Sequence, residues 1–294
     1  MVKKIYLVYK NHFNVLSDYF NSLNIFYDFI ELDNINTYYN SYDIFIFSRM
    51  ILPEQPNSFY SKKNILFLNE EQLSESNRSN WILTHIKHNL PILDYSVSNI
   101  LLLKSYIKEL NIDYDTKNIL WLPYQYNSIE NFNIKNDEND FEYDIGIINA
   151  KLDESQIDNN NNNIRKREII WNKIQKQDWS YINIIGWGKE RDDIIKKCKI
   201  IINVHHFDFF NIFEHIRCDR LLFSNKIIIS DLSLFQDELD IKDYVIWEEF
   251  DKIIDTAKYI LQHFDKFNIK RDLINVIDNR KKVLNKTLEH IMNL

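Results

Sequence analysis

The chain has 294 residues, 45% of them hydrophobic with 19 Phe and 17 Tyr, so one large or two ordinary domains can bury a core. A net charge of -7 argues against the basic face that a nucleic-acid backbone requires. Two cysteines exclude a disulfide framework, and no apolar run approaches the ~20 residues needed to cross a bilayer.

The opening residues, Met1 to Lys4, carry two lysines before a short apolar run. That run is too short for a secretory signal and lacks a small-residue cleavage site, so a first strand and a cytoplasmic location are expected, host cytoplasm if the source is viral. Asn occurs 37 times, including a run at 159–163, while Gly occurs 3 times and Pro 4. Asn, Ile and Lys have AT-rich codons, which fits a microbe or a large DNA virus. The bias devalues any single Asn or Lys as a signal and raises the value of the glycines.

Strands are expected at Ile5–Tyr9, 26–32, 43–47, 64–68 and 119–122, the last ended by Pro123. Helical spacing runs over 12–23, where Phe13, Leu16, Phe20 and Leu23 recur, over 80–88, and over 98–110. Residues 127–144 are polar and acidic and read as a linker. A second series follows: strands at Tyr143–Ile148, 181–185, 200–202, 227–229 and 244–247, with helices at 164–177, 191–198, after residue 210, at 250–264 and at Ile274–Met292. Cys198 and Cys218 both fall in segments that read as buried helix. Alternating strands and helices predict α/β architecture with mostly parallel sheets, in two Rossmann-like domains at 1–127 and 128–294 facing a cleft.

Chemistry concentrates in 199–232. Parallel strands place ligands at their carboxyl ends, and the run Ile200–Ile202 leads into Asn203, His205 and His206. Adjacent histidines on extended backbone point to opposite sides, so the two do not suit one metal ion even with His215 nearby. They read either as contacts to phosphate or sugar, or as one packed and one exposed ring. Glu214 and Arg217 share a helical face, as a buried bridge or as the rim of a pocket, and the histidines upstream favour the rim. Gly146, Gly186 and Gly188 each lie within or at the end of an expected strand and read as glycines that admit a diphosphate, or as ordinary turn glycines. Asp113-Tyr114-Asp115 resembles a metal-holding pair but lies between a helix and a strand, where a surface turn is expected.

The segments Gly186-Trp187-Gly188-Lys189-Glu190-Arg191, Asn203-Val204-His205-His206, Glu214-His215-Ile216-Arg217 and Ser230-Asp231 together resemble the nucleotide-sugar half of GT-B glycosyltransferases. More narrowly, they are similar to small glycan and capsule-type transferases. Asn69-Glu70-Glu71-Gln72-Leu73, Asp94-Tyr95-Ser96 with Asn99, and Arg165-Lys166-Arg167 extend the likeness over roughly residues 64 to 250. The chain departs from that pattern at Asn149 and the Asn-rich insertion, at Glu70, and at Asn225, where glycine is usual.

The resemblance implies a GT-B arrangement, an acceptor-binding first half and a donor-binding second half. The implied reaction moves a sugar from a nucleotide-diphosphate donor to the hydroxyl of a glycan or other acceptor, with no metal or other cofactor required. Donor contacts are expected from Gly146, Asn149, Arg167, Gly186, Gly188, His205, Glu214 and Arg217. His206 is a further candidate at the reacting centre, and Glu71 a candidate base. The alternative is a non-catalytic nucleotide-sugar-binding or structural protein that keeps the fold.

Overall fold

A computed structural model describes residues 3–9, 19–23, 28–31, 34–39, 42–48, 64–73, 86–127, 141–148, 165–186, 188–207 and 211–293. It is an α/β protein of two Rossmann-like compact units. One comprises Met1–Gln125 with Ile277–Leu294, and the other Tyr126–Val276. Residues from 277 onward thus group with the first unit, whereas the sequence division at 127/128 leaves them in the second.

The first unit holds a six-stranded sheet of β1 (Ile5–Tyr9), β2 (Asp28–Glu31), β3 (Ile44–Ser48), β4 (Ile65–Asn69), β5 (Ile92–Asp94) and β6 (Ile119–Trp121), in the order β2-β1-β3-β4-β5-β6. Every pairing is parallel. Parallel strands are covered on both faces, which is why β4 reads as an unbroken apolar run, Ile65-Leu66-Phe67-Leu68, with every residue buried. The Val97–Glu109 helix buries Ile100, Leu103 and Ile107 against this sheet and is capped by Ser96, whose side chain accepts from the Asn99 amide. β5 is too short for periodicity to reveal. Pro91 precedes it, and the Pro91 carbonyl accepts from Phe67 N–H at 3.0 Å.

The segment after residue 276 closes the first unit. Arg280 is buried and donates through Nη1 to the Tyr124 carbonyl at 3.0 Å, with its guanidinium 5.9 Å from the Trp121 ring centre. Thr287 donates to the Trp121 carbonyl, and Gln125 Nε2 donates to that of Arg280.

The second unit holds β7 (Tyr143–Ile148), β8 (Tyr181–Ile184), β9 (Cys198–Asn203), β10 (Ile227–Asp231) and β11 (Ile246–Glu248), all parallel, in the order β11-β10-β9-β7-β8. Its helices are Lys166–Ile174, Gly188–Ile195, His215–Phe223 and Ile253–Gln262. Ile145, Ile147, Ile200, Ile202, Ile227 and Ile229 form its core with Ile170, Ile174, Ile253, Ala257 and Ile260 of the covering helices. Cys198 opens β9 rather than ending a helix, because the helix before it stops at Ile195 and the isoleucine run extends back to the cysteine. Cys218 is helical and buried, as expected.

Chain order and sheet order together locate the crevice of the second unit. From β7 the sheet grows one way to β8 and the other way to β9, β10 and β11. The switch point therefore lies between β7 and β9, and open parallel sheets bind ligands outside the carboxyl ends of the strands at that point.

Candidate functional site

β9 ends at Asn203, and the turn after it supplies Val204, His205 and His206. The Lys166–Ile174 helix begins against this turn, with the Lys166 amide donating to the His206 carbonyl at 3.2 Å. Arg167, in the first turn of that helix, is buried and donates from Nε to the Val204 carbonyl at 2.9 Å. The His215–Phe223 helix starts from the same edge with Glu214 as its N-cap residue. Glu214 lies 3.7 Å from Arg167 Nη2 and 4.0 Å from Arg217 Nη2. Arg217 Nη1 is 3.5 Å from Asn203 Oδ1, and the amide of Asn203 donates to Ser230 Oγ at 3.0 Å.

The result is a pair of guanidinium groups at the switch point, loosely joined by one carboxylate. Burial, aided by the charge of Arg217, pushes the Arg167 guanidinium down to about 9. A site that costs its own cations this much is one an anion relieves. His206 is pushed down to about 4, first by burial and then by Arg167, Arg165 and Arg217. It is therefore neutral at pH 7, a hydrogen-bonding group rather than a cation. Its Nδ1 is buried and finds no hydrogen-bond partner among the described residues.

The two histidines separate as extended backbone requires. His206 is half-buried, whereas His205 is sealed at 0% exposure. His205 Nδ1 lies 2.7 Å from Asp231 Oδ1, and its Nε2 is 3.2 Å from both the Ile212 carbonyl and Ser233 Oγ. A ring enclosed in this way does not reach a ligand, so the expected direct donor contact from His205 gives way to a packed, hydrogen-bonded role.

The glycines separate as well. Gly146 lies inside β7, within the strand expected at 143–148, opposite Ile182 and Ile201. A Cβ there would meet Cys198 Sγ at 2.8 Å, Ile184 Cδ1 at 2.8 Å and Ile201 Cδ1 at 2.9 Å, so this glycine serves sheet packing. Gly186 and Gly188 follow β8 with φ of +94° and +66°, where an L side chain is strained and nothing crowds the missing Cβ. Asn149 and Trp187 lie outside the described residues, as do the Asn run at 159–163 and most of the helices expected over 12–23 and 80–88.

Other charged groups nearby are committed to the interior. Arg220 Nη2 donates to Asp192 Oδ2 at 2.6 Å, and Arg191 approaches Asp192 Oδ1 at 3.2 Å, tying the Gly188–Ile195 helix to the His215–Phe223 helix. His215 Nδ1 is 3.0 Å from both Asp219 oxygens, one turn along its helix. Among the described residues no group of three or more His, Cys, Asp or Glu could hold a metal ion. Asp115 caps a surface turn, accepting from Lys117 N–H at 3.0 Å.

In the first unit, Glu71 is exposed at the end of β4. Its carbonyl accepts from Asn69 Nδ2 and from Asn99 Nδ2, both at 2.9 Å. Asp94, fully buried at the end of β5, accepts from Asn69 Nδ2 at 2.6 Å, Ser96 N–H at 2.8 Å and Asn99 Nδ2 at 3.0 Å. The Asn-Glu-Glu-Gln-Leu, Asp-Tyr-Ser and Asn99 elements are therefore one buried network that holds the loop carrying Glu70 and Glu71. Lys166, Asn203 and Asp231 complete the second-unit site without having been singled out as contacts. Their signal was membership of the resembling segments Arg165-Lys166-Arg167, Asn203-Val204-His205-His206 and Ser230-Asp231.

No family model matches the chain. It is similar to the uncharacterized protein L140 of Acanthamoeba polyphaga mimivirus, 31% identical over 257 residues that make up 84% of this chain and 75% of L140. The uncharacterized protein R358 of the same virus is 24% identical over 275 residues, 90% of this chain and 86% of R358. Against its uncharacterized protein L138, 27% identical, the chain spans only 26% of the relative's length. Among solved structures it is similar to T4 phage BGT in complex with its UDP-glucose substrate, at 13% identity and a TM-score of 0.47 over 100% of this chain and 97% of that one. T4 phage BGT in complex with UDP and Mn2+ gives 14% identity and a TM-score of 0.46, covering 99% and 100%. An alpha1,3-fucosyltransferase with GDP-fucose gives 13% and 0.41, covering 100% and 91%.

Proposed function

The chain belongs to the family of the mimivirus uncharacterized protein L140, and for this member we propose a nucleotide-sugar-dependent glycosyltransferase. The observation that carries the reading is the convergence of Arg167, Arg217, Glu214 and His206 on the carboxyl end of β9, at the switch point of the second sheet. It is supported by the sequence resemblance, whose donor-half elements contribute these same residues.

In this reading the nucleotide diphosphate of the donor rests against Arg167 and Arg217. Glu214 turns toward ribose or sugar hydroxyls once phosphate takes over the guanidinium groups. As the bond between sugar and diphosphate breaks, negative charge grows on the leaving phosphate. Two fixed guanidinium groups and the N-terminal ends of the Lys166–Ile174 and His215–Phe223 helices stabilise that charge without reorganisation. His206, neutral, donates a hydrogen bond to the same oxygens. The arginines supply the positive charge that a divalent cation provides in other transferases, so none is required. The acceptor hydroxyl comes from a glycan or similar molecule bound by the first unit, where Glu71 is the candidate base. Cytoplasmic action belongs to the same proposal, and among the described residues no helix is long and apolar enough to cross a membrane.

Calorimetry with UDP, GDP, CDP and TDP tests the reading. At least one should bind, and sugar release from the matching donor should persist in EDTA. Silence across the panel at millimolar ligand would sink it. Loss of activity in EDTA with rescue by manganese would replace it with a metal-dependent transferase. Binding without any turnover would leave a nucleotide-sugar-binding protein.

A further inference from the structure

Asp231 ends β10, one strand away from the switch point, and is 1% exposed. Nothing in the proposed reaction uses it, yet its carboxylate is tied to His205 at the centre of the turn after β9 and to Lys166 beside that turn. Oδ1 accepts from the His205 backbone N–H at 3.1 Å and lies 2.7 Å from His205 Nδ1, while His205 Nε2 lies 3.2 Å from Ser233 Oγ. Oδ2 receives Lys166 Nζ at 3.3 Å. The carbonyls on either side of His205 then face the other way. That of Val204 holds Arg167 Nε, and that of His206 holds the first amide of the Lys166–Ile174 helix.

The sign of the charge makes this arrangement informative. A buried carboxylate beside an anion site repels the anion, so by field alone Asp231 weakens phosphate binding. Burial would also raise its own proton affinity, yet the hydrogen bonds and charge of His205, with Lys166, hold it below the ordinary carboxylate range. A charge kept ionised where it opposes the ligand must contribute through geometry.

We propose that Asp231 is the positioning residue of the anion site: it fastens the Val204–His206 turn, and through the Val204 carbonyl it aims Arg167 at the diphosphate. The inference rests on the donor reading of the same site and names how its principal cation is held.

The test is calorimetry of inorganic pyrophosphate and the four nucleoside diphosphates on the intact chain. Asp231→Asn removes the charge at constant size. Positioning predicts binding weakened by about tenfold, whereas the field alone predicts tighter binding. Because Asp231 acts through Arg167, the loss should shrink to less than about twofold in an Arg167→Lys background, which keeps a positive charge without the Val204 tether. His205→Gln leaves the carboxylate in place and should weaken binding as Asp231→Asn does. It serves if Asp231→Asn does not fold, as judged by circular dichroism. Unchanged or tighter binding in the single variants, or a full loss that persists with Arg167→Lys, overturns the proposal. A wild-type protein that binds pyrophosphate but no nucleotide sinks the donor reading alone, with the Asp231 comparison still read on pyrophosphate. A wild-type protein that binds neither overturns both.

Discussion

Arg167 and Arg217, from two different helices, are joined through the two oxygens of Glu214 at 3.7 and 4.0 Å. Such distances, with Arg167 buried but Glu214 and Arg217 partly exposed, describe a loose bridge, worth about 1 kcal/mol. A sealed bridge would instead cost about 3–5 kcal/mol when broken. Glu214→Gln should therefore barely move the melting temperature of the free protein, while donor affinity or turnover falls by roughly tenfold. A large drop in melting temperature, with donor binding per folded molecule retained, would return the pair to the fold.

Gly146 offers the opposite case. Gly146→Ala puts a methyl group within 3 Å of Cys198 Sγ and of the Cδ1 ends of Ile184 and Ile201, which must shift to admit it. It should cost about 1–3 kcal/mol in chemical denaturation and leave nucleotide affinity of the folded fraction unchanged. Full stability with lost binding would show that the glycine faces a ligand after all.

Asp94 links the first unit to pH. Burial pushes its carboxyl up to about 7, against the donors from Asn69, Ser96 and Asn99 and with help from the nearby charge of Glu70. The folded state thus holds this proton more tightly than the unfolded chain does. Its stabilising contribution is complete below about pH 4 and is lost as pH rises through about 7. Between about pH 5 and pH 8 the wild-type melting temperature should fall more steeply than that of Asp94→Asn, by the equivalent of a few kcal/mol at most. Parallel pH profiles for the two proteins would count against the buried-proton assignment.

His206 reports on ligand binding. In the free protein its ring titrates near 4, depressed by burial and by the surrounding arginines. A bound diphosphate adds negative charge, which favours the imidazolium, so the midpoint should rise toward or above the ordinary value. Ring nitrogen NMR with and without nucleoside diphosphate measures this directly. A midpoint that stays near 4 in the saturated complex would place the phosphate away from His206.

How legible was this molecule before its structure was seen? The parallel core was plain in Ile200-Ile201-Ile202 and Ile227-Ile228-Ile229, because strands buried on both faces allow little but aliphatic residues. The separation of His205 from His206 followed from strand alternation. Which of the two faced inward did not, since that depended on Asp231 arriving from another strand. Gly146 misled for the same reason. A strand glycine that faces a ligand and one that faces packed side chains look alike until the neighbours from β8 and β9 are placed beside it. Asn225 shows a substitution the backbone tolerates. It sits at φ 63°, the left-handed turn where glycine was expected, and its side chain accepts from the Arg271 amide.

The return of Ile277–Leu294 to the first unit sets an order of events during synthesis. The second unit is one unbroken stretch and has all its strands and helices once Val276 has left the ribosome. The first unit is begun earlier but finished later, because Arg280 and Thr287 supply contacts to Trp121 and Tyr124 across more than 150 residues. Contacts of such long sequence separation form slowly, and domains otherwise tend to fold from the amino end onward. Here the nascent chain carries its first unit without the closing contacts of Arg280 and Thr287 until the second unit has emerged, so a chain ended at residue 276 should hold the later unit folded and the earlier one open to proteases.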